Sequence, residues 1–446
     1  MLKAGFISLG CSKNLVDTEV MLGILDKDKV EITADPAKAD ILIVNTCAFI
    51  QSAKEESITT ILNMAEYKQP NKGKCRSLIV AGCLGQRYGK ELLKEFPEVD
   101  AIIGTGAWDR IMEAVNATIN EHKRVLITGE SKDIYQAETP RIYTTPGYTA
   151  YIKIAEGCNH RCAFCAIPYI RGNYRSRTIE DIKDEVSQLA KHGVKEFNII
   201  AQDTTYYGND IYGKPSLAKL LQELAKIDEV KWLRIQYAYP HTFNDELIDV
   251  IASEPKVCKY VDLPLQHAHN DVLRRMRRSD TKESIEELLD KLRERIPGVV
   301  LRSSFIVGFP GETASQYATL RTFLEKQKFD KVGIFTYSRE EGTPAYDMPN
   351  QIPEQIMQER YHDLMSVQSK ISETKNIAME GKVVDVLVEG RDEDQNIAYG
   401  RSYREAPEVD GLVYIEGDTE SKPGDMIKVR ISQGFDYDVV GERVDD

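Results

Sequence analysis

Three cysteines in one short stretch, Cys158, Cys162 and Cys165, are spaced C-x₃-C-x₂-C within Glu156-Gly157-Cys158-Asn159-His160-Arg161-Cys162-Ala163-Phe164-Cys165. Thiols this close in the chain cannot all bridge one another. On a loop they can converge on one polynuclear centre, and iron–sulfur clusters are the usual occupants of such runs. A four-iron cube has four corners, so three protein ligands leave one iron open to a small molecule with hard donor atoms, such as an amino acid's amine and carboxylate. A structural zinc site would need a fourth ligand and would leave no open position. His160 is the nearby choice, and its place between two of the cysteines is unlike the usual zinc spacings.

The cysteine loop follows an alternating run at 151–155 that reads as a strand. Five further β-type runs come after it, at 196–201, 231–237, 260–265, 300–307 and 331–337. Helical stretches lie between them at 178–192, 216–227, 243–253, 281–295 and 314–326. Six βα units predict an open (β/α)6 partial barrel, short of the eight that close one, with the cysteine loop on the face where βα loops gather. Gln202 and Asp203 end the second strand, Gln266 and His267 end the fourth, Arg302 lies in the fifth, and Gly308 opens a Gly-Phe-Pro-Gly-Glu-Thr turn after it. With Phe164 these are candidate lining residues of a cofactor pocket; capping and turn roles are the ordinary alternative. Arg171, Arg175 and Arg177, and the group Arg274, Arg275, Arg277 and Arg278, either grip anions or form solvated helix faces.

Before residue 135 the pattern is a shorter βα alternation. Apolar runs at 3–9, 39–44, 76–81 and 101–103 are separated by helical segments such as 17–25 and 52–66. This predicts an N-terminal doubly wound parallel sheet, whose ligands bind beyond the carboxyl ends of the strands. Three of the four runs end on a cysteine: Cys11, Cys47 and Cys83. One such cysteine would read as buried and inert; three at equivalent strand ends favour a second cluster, again one ligand short. Cys75 and Cys258 lie at the opposite ends of their strands and read as structural.

After a helix over 354–378, short β runs at 383–388, 397–402, 411–415 and 426–431 predict a small antiparallel β-barrel. Residues 376–446 hold eighteen acidic and eight basic side chains, a formal −10 of the chain's −13. That surface repels a phosphate backbone and attracts a basic protein, so direct RNA binding is not expected to dominate. The expected parts are residues 1–135, 142–375 and 376–446. With no membrane-length apolar run or leader pattern, and eight cysteines in 446 residues, a cytoplasmic protein without a disulfide scaffold is expected.

The C-x₃-C-x₂-C run with Phe164 before the last cysteine resembles the signature of radical S-adenosylmethionine (SAM) enzymes. The resemblance implies that the open iron chelates SAM, and that one electron from the cluster releases a 5′-deoxyadenosyl radical. The terminal β runs resemble the TRAM domain. Both cysteine trios, the barrel and the terminal domain together resemble the methylthiotransferases over essentially the whole chain. This implies two 4Fe–4S clusters, one held by Cys158, Cys162 and Cys165 and an auxiliary one held by Cys11, Cys47 and Cys83. It also implies two uses of SAM, as radical source and methyl donor, and a low-potential electron donor such as flavodoxin or ferredoxin. The stretches Gly10-Cys11-Ser12-Lys13-Asn14-Leu15-Val16-Asp17, Asp262-Leu263-Pro264-Leu265-Gln266-His267 and Arg404-Glu405-Ala406-Pro407-Glu408-Val409-Asp410-Gly411 resemble the branch acting on an aspartate β-carbon of small-subunit ribosomal protein twelve, free or within the ribosomal subunit. The alternative is the branch acting on tRNA adenosine, which typically has Gln-Met-Asn after the first cysteine and Gln-Ser-Gly in place of Gln266-His267-Ala268.

Overall fold

The computed structural model describes residues 1–129, 134–392, 394 and 397–444. The first sheet is parallel throughout. Its strands are β1 (Lys3–Ser8), β2 (Glu31–Ile32), β3 (Ile41–Thr46), β4 (Ser77–Gly82), β5 (Ala101–Ile103) and β6 (Val125–Ile127), in spatial order β2-β1-β3-β4-β5-β6. The sequence reading contains four of these six; β2 and β6 are two and three residues long, too short to carry a period. Helices α1 (Ser12–Lys27), α2 (Gln51–Ala65), α3 (Cys83–Glu95) and α4 (Ile111–Ile119) cover both faces. Ile41 and Ile43 pack with Met21, Leu25, Ile111 and Val115 on one side. Leu42 and Val44 pack with Ile61, Leu84 and Leu92 on the other. A strand buried on both faces must be apolar throughout, which is why β3 and β4 read as unbroken runs. The strand order reverses between β1 and β3, and the crevice at such a switch point is where doubly wound sheets bind ligands.

The central barrel opens with β7 (Thr149–Lys153). A small antiparallel pair, β8 (Ala155–Glu156) and β9 (Arg175–Ser176), then brackets the cysteine loop. Between them lies the short helix α5 (Ile167–Arg171). Strands β10 (Glu196–Ile200), β11 (Trp232–Ile235), β12 (Tyr260–Asp262), β13 (Val300–Val307) and β14 (Lys331–Thr336) complete it. They form two parallel halves, β11-β10-β7 and β12-β13-β14, joined by the bridge Leu233–Val257. Ile152, Phe197, Ile199, Leu233, Leu301 and Phe305 face the helices and belong to one large core. By strand alternation Lys153, Asn198, Arg234, Arg302 and Ser304 face inward, so the lumen is polar. Helix α1 closes part of the opening: Val16 and Val20 pack on the inward-facing Tyr151 and Ile200.

The terminal domain is a closed barrel, β15 (Val383–Asp392), β16 (Ile397–Arg401), β17 (Val413–Glu416), β18 (Met426–Gly434) and β19 (Val439–Val444), in the order β15-β16-β17-β19-β18. The four-run reading omits β19, and the all-antiparallel expectation is corrected at one pair, β17 with β19, which is parallel. Five strands cannot alternate direction around a closed ring, so one parallel pair is unavoidable. The domain sits under the amino ends of the central strands, where Leu387 and Ala406 pack with Tyr148, Trp232, Tyr260 and Val300.

Candidate active site

The first trio sits at the carboxyl rim of the N-terminal sheet. Gly10, at φ +86°, turns the chain from β1 into α1, and any side chain there would meet Cys47: an added Cβ would lie 2.7 Å from its Cβ and 3.0 Å from its sulfur. Cys11 occupies the N-cap of α1, and Cys83 opens α3. Asn14 and Asn45 pin the crevice. Asn14 Nδ2 donates to the carbonyls of Leu9 (2.7 Å) and Thr46 (3.2 Å), and Asn45 Nδ2 donates to the Asn14 carbonyl (2.7 Å) and Thr18 Oγ1 (2.8 Å). The three thiols are close enough to act on one another electrostatically, and Arg171 acts on all three. Burial pushes the Cys83 thiol up to about 12. Desolvation on its protein side would raise Cys11, but Lys13 and Arg171 outweigh it and lower that thiol.

The second trio lies on the loop between β8 and β9. Gly157, at φ +84°, lets the loop approach the Asn173 carbonyl, which an added Cβ would meet at 2.1 Å. Cys158 N–H donates to the Gly172 carbonyl (3.1 Å), and Ala163 N–H to that of Met276 (2.9 Å). Cys158, Cys162 and Cys165 also act on one another, with Arg278 as their shared cation. Burial raises all three thiols, Cys158 to about 12. All six cysteines are free of disulfides. Among the described residues no three His, Cys, Asp or Glu side chains converge tightly enough for one metal ion. Thiols sharing a four-iron cube stand farther apart than the ligands of a single ion, and a thiolate donor set beside a cation fits such a cube.

Helix α5 joins the trios. It begins two residues after Cys165 and ends at Arg171, and five helical residues span about 7.5 Å. Arg171 donates through Nη1 to Asp17 Oδ2 and Glu156 Oε2, both at 3.0 Å, and through Nη2 to Asn14 Oδ1 at 3.1 Å. Lys153 joins the same two carboxylates, pairing with Asp17 and with Glu156 at 2.6 Å. Gln202 Nε2 donates to Glu156 Oε1 at 2.6 Å. Burial alone would raise the Glu156 carboxyl, but Arg171, Lys153 and Gln202 hold it well below the usual carboxylate range.

The other expected pocket residues divide by position. The Gln202 Oε1 atom is buried without a partner beside Glu156. Asp203 Oδ2 holds His160 Nε2 at 2.6 Å, and the His160 ring stacks on Tyr239 at 3.8 Å. Gln266, at φ +71°, bridges to β13 through its backbone. Phe164 packs with Phe309, Met276 and Met357. At Gly308, φ +77°, the adjoining space is filled by Met357, whose Cγ would be 2.2 Å from an added Cβ. Arg302 stands apart, bound to Asp262 at 2.9 Å and to Asp410 of the terminal domain at 3.5 Å. Of the basic group, Arg274 is exposed, whereas Arg278 is buried over the Tyr239 ring. Sequence reasoning placed no role on Lys153, Glu156 or Asp262; a charged residue on an alternating strand reads as solvent-facing until an inner, polar lumen is known.

Such a loop above an open βα barrel, behind a switch-point sheet, defines a radical SAM enzyme. Residues 152–324 match the Radical SAM superfamily, residues 3–104 the Uncharacterized protein family UPF0004, and residues 381–444 the TRAM domain. In fold the chain is similar to the radical SAM methyltransferase TsrM from Kitasatospora setae (TM-score 0.59, 15% identity, 77% of this chain and 76% of that one), solved with cobalamin and a 4Fe–4S cluster. In sequence it is 51% identical to the ribosomal protein uS12 methylthiotransferase RimO of Desulforamulus reducens, over 98% of both chains. It is 50% identical to that of Pelotomaculum thermopropionicum, over 99% of both. The chain belongs to the RimO family of methylthiotransferases. No helix of the described residues is long and apolar enough to cross a membrane.

Proposed function

We propose that this enzyme replaces a C–H bond at the β-carbon of an aspartate in ribosomal protein uS12 with C–S–CH₃. The single observation that carries the reading is the near full-length identity to RimO chains. Cys158, Cys162 and Cys165 would hold one 4Fe–4S cluster, and Cys11, Cys47 and Cys83 a second. When bound, these clusters and SAM supply reductive cleavage of a sulfonium, hydrogen abstraction, and the sulfur and methyl of the product. A low-potential donor such as flavodoxin or ferredoxin would feed the electrons. The functional division is 1–135 for the auxiliary cluster, 142–375 for radical generation and 376–446 for partner recognition.

The chain's own part is placement. Arg171, Lys153 and Glu156 lock the two trios in one frame, and Gln202 carries an acceptor free for a SAM donor beside that frame. Gln266, at the bridge to β13, and Phe164, packed beside Phe309, are the other proposed lining residues, while Asp203 positions His160. The exposed rings of Phe49 and Tyr169, close in sequence to Cys47 and Cys165, offer apolar surface to an incoming polypeptide loop. The acidic terminal barrel supports a basic protein partner over RNA. Mass spectrometry of uS12 and of tRNA from a deletion strain tests the reading. The expected result is a uS12 lighter by one methylthio group, with tRNA nucleosides unchanged; unmodified tRNA with normal uS12 would overturn it.

A further inference from the structure

A lysine ammonium is strongly hydrated and is almost never buried without a counter-charge. Lys13 is 6% exposed, and among the described residues no carboxylate stands within ion-pair distance of its ammonium. Asp17, one turn along α1, is committed to Lys153 and Arg171. Lys13 also lies in the first turn of α1, where the helix end is positive and a cation is disfavoured. Its ammonium lies over the ring of Tyr237, whose centroid is 2.9 Å from Nζ, and its charge also acts on the Cys11 thiol.

Tyr237 is itself unusual. It holds φ +62°, a region aromatic residues rarely enter, and its N–H is fixed by Asp262 Oδ2 at 2.9 Å. The ammonium therefore stands between the accessible Cys11 of the first trio and the rim of the central lumen. The other cations around this space are engaged: Arg171 by Asp17 and Glu156, Arg302 by Asp262 and Asp410, Arg278 by the Pro264 carbonyl. A buried positive charge at an enzyme's mouth, with a thiol beside it and no carboxylate partner, is a place for a further anion.

We infer that Lys13 receives the side-chain carboxylate of the substrate aspartate and so turns its β-carbon toward the gap between the two cysteine trios. The inference rests on the uS12 reading above. A carboxylate oxygen hydrogen-bonded to Nζ leaves the β-carbon about 4–5 Å from the ammonium, close enough for one residue to set its direction.

The test measures binding of uS12, and of uS12 with asparagine in place of the modified aspartate, to the anaerobically reconstituted full chain and to its Lys13→Met and Lys13→Arg forms. Iron content and the electron paramagnetic resonance signal of each protein are recorded alongside. Asparagine keeps the shape and removes the charge. The unsubstituted chain should prefer the aspartate form by about tenfold, Lys13→Met should bind both within about twofold, and Lys13→Arg should recover part of the preference, with iron and signal retained throughout. An undiminished preference in Lys13→Met would overturn the inference. So would loss of preference accompanied by loss of iron, which would make Lys13 a support of the first trio. No binding of either uS12 form by the unsubstituted chain would instead overturn the substrate reading, and the inference with it.

Discussion

The guanidinium of Arg171 lies 3.7 Å from the sulfur of Cys83, although Arg171 belongs to the helix that follows the other cysteine trio. One side chain thus registers the N-terminal sheet against the barrel loop. A second strap lies farther back, where Arg141 pairs with Glu19 of α1 at 2.6 Å and with Glu185 of the barrel at 2.7 Å. A third is Glu340, which takes Arg87 at 2.6 Å and Lys54 at 3.0 Å. Chemistry that passes an atom between two sites needs their separation fixed to a fraction of an ångström.

Arg171→Met should destabilise the protein strongly, because Asp17 and Glu156 would remain buried with Lys153 alone between them. Removing one member of a buried charge group costs about 3–5 kcal/mol, which for a chain of this size lowers the melting temperature by about 3–5 °C. Calorimetry of the substituted chain checks this. An unchanged melting temperature would mean that the frame is held elsewhere.

Gly10→Ala should empty the first trio and spare the second. The residue needs φ +86°, and a Cβ there pushes directly on Cys47. Anaerobic iron analysis should find about half the iron of the unsubstituted protein if each trio holds one four-iron cube, as proposed. Full iron content would show that the Cys47 position is dispensable.

Cys83→Ala separates the roles of the two trios. Reductive cleavage of SAM to 5′-deoxyadenosine should persist, while methylthio insertion into uS12 should vanish, both measured by mass spectrometry on one reaction. Equal loss of the two activities would assign Cys83 to folding.

Glu196 carries the join between the barrel floor and the terminal domain. It accepts hydrogen bonds from Arg401 at 2.6 and 3.0 Å, Arg234 at 2.9 Å and Thr149 at 3.0 Å. Burial would raise its carboxyl, but Arg401 and Arg234 bring it down from 4.5 to about 2. A carboxylate depressed in the folded state stabilises fully above its unfolded value and loses that contribution as pH falls through its folded one. Urea unfolding should therefore find Glu196→Gln less stable than the unsubstituted chain at neutral pH, with the gap narrowing between pH 4.5 and about 2. A gap independent of pH would assign the loss to packing.

The fold was legible where hydrophobic period and chemistry coincided. Strands β3 and β4 announce themselves as apolar runs ending in a cysteine, and the six central strands keep their spacing. Helix α1 starts at Ser12, five residues earlier than its apolar pattern at 17–25 suggests, because its N-cap is Cys11, which makes no capping hydrogen bond and gives no start signal. The six cysteines stand out by spacing and position. The charges around them do not: Lys153 and Glu156 look like surface residues until β7 is known to face a lumen. Nor does Arg302 announce its partner Asp410, which is more than one hundred positions away. Pairing across domains leaves no local trace in a sequence.

The most direct measurement is iron and sulfide in anaerobically purified protein, compared with chains in which Cys11, Cys47 and Cys83, or Cys158, Cys162 and Cys165, are replaced by alanine. About eight iron atoms and eight sulfides per chain, falling to about four of each in either substituted form, is the expected result. About four in the unsubstituted chain, unaffected by loss of the first trio, would contradict the existence of two clusters.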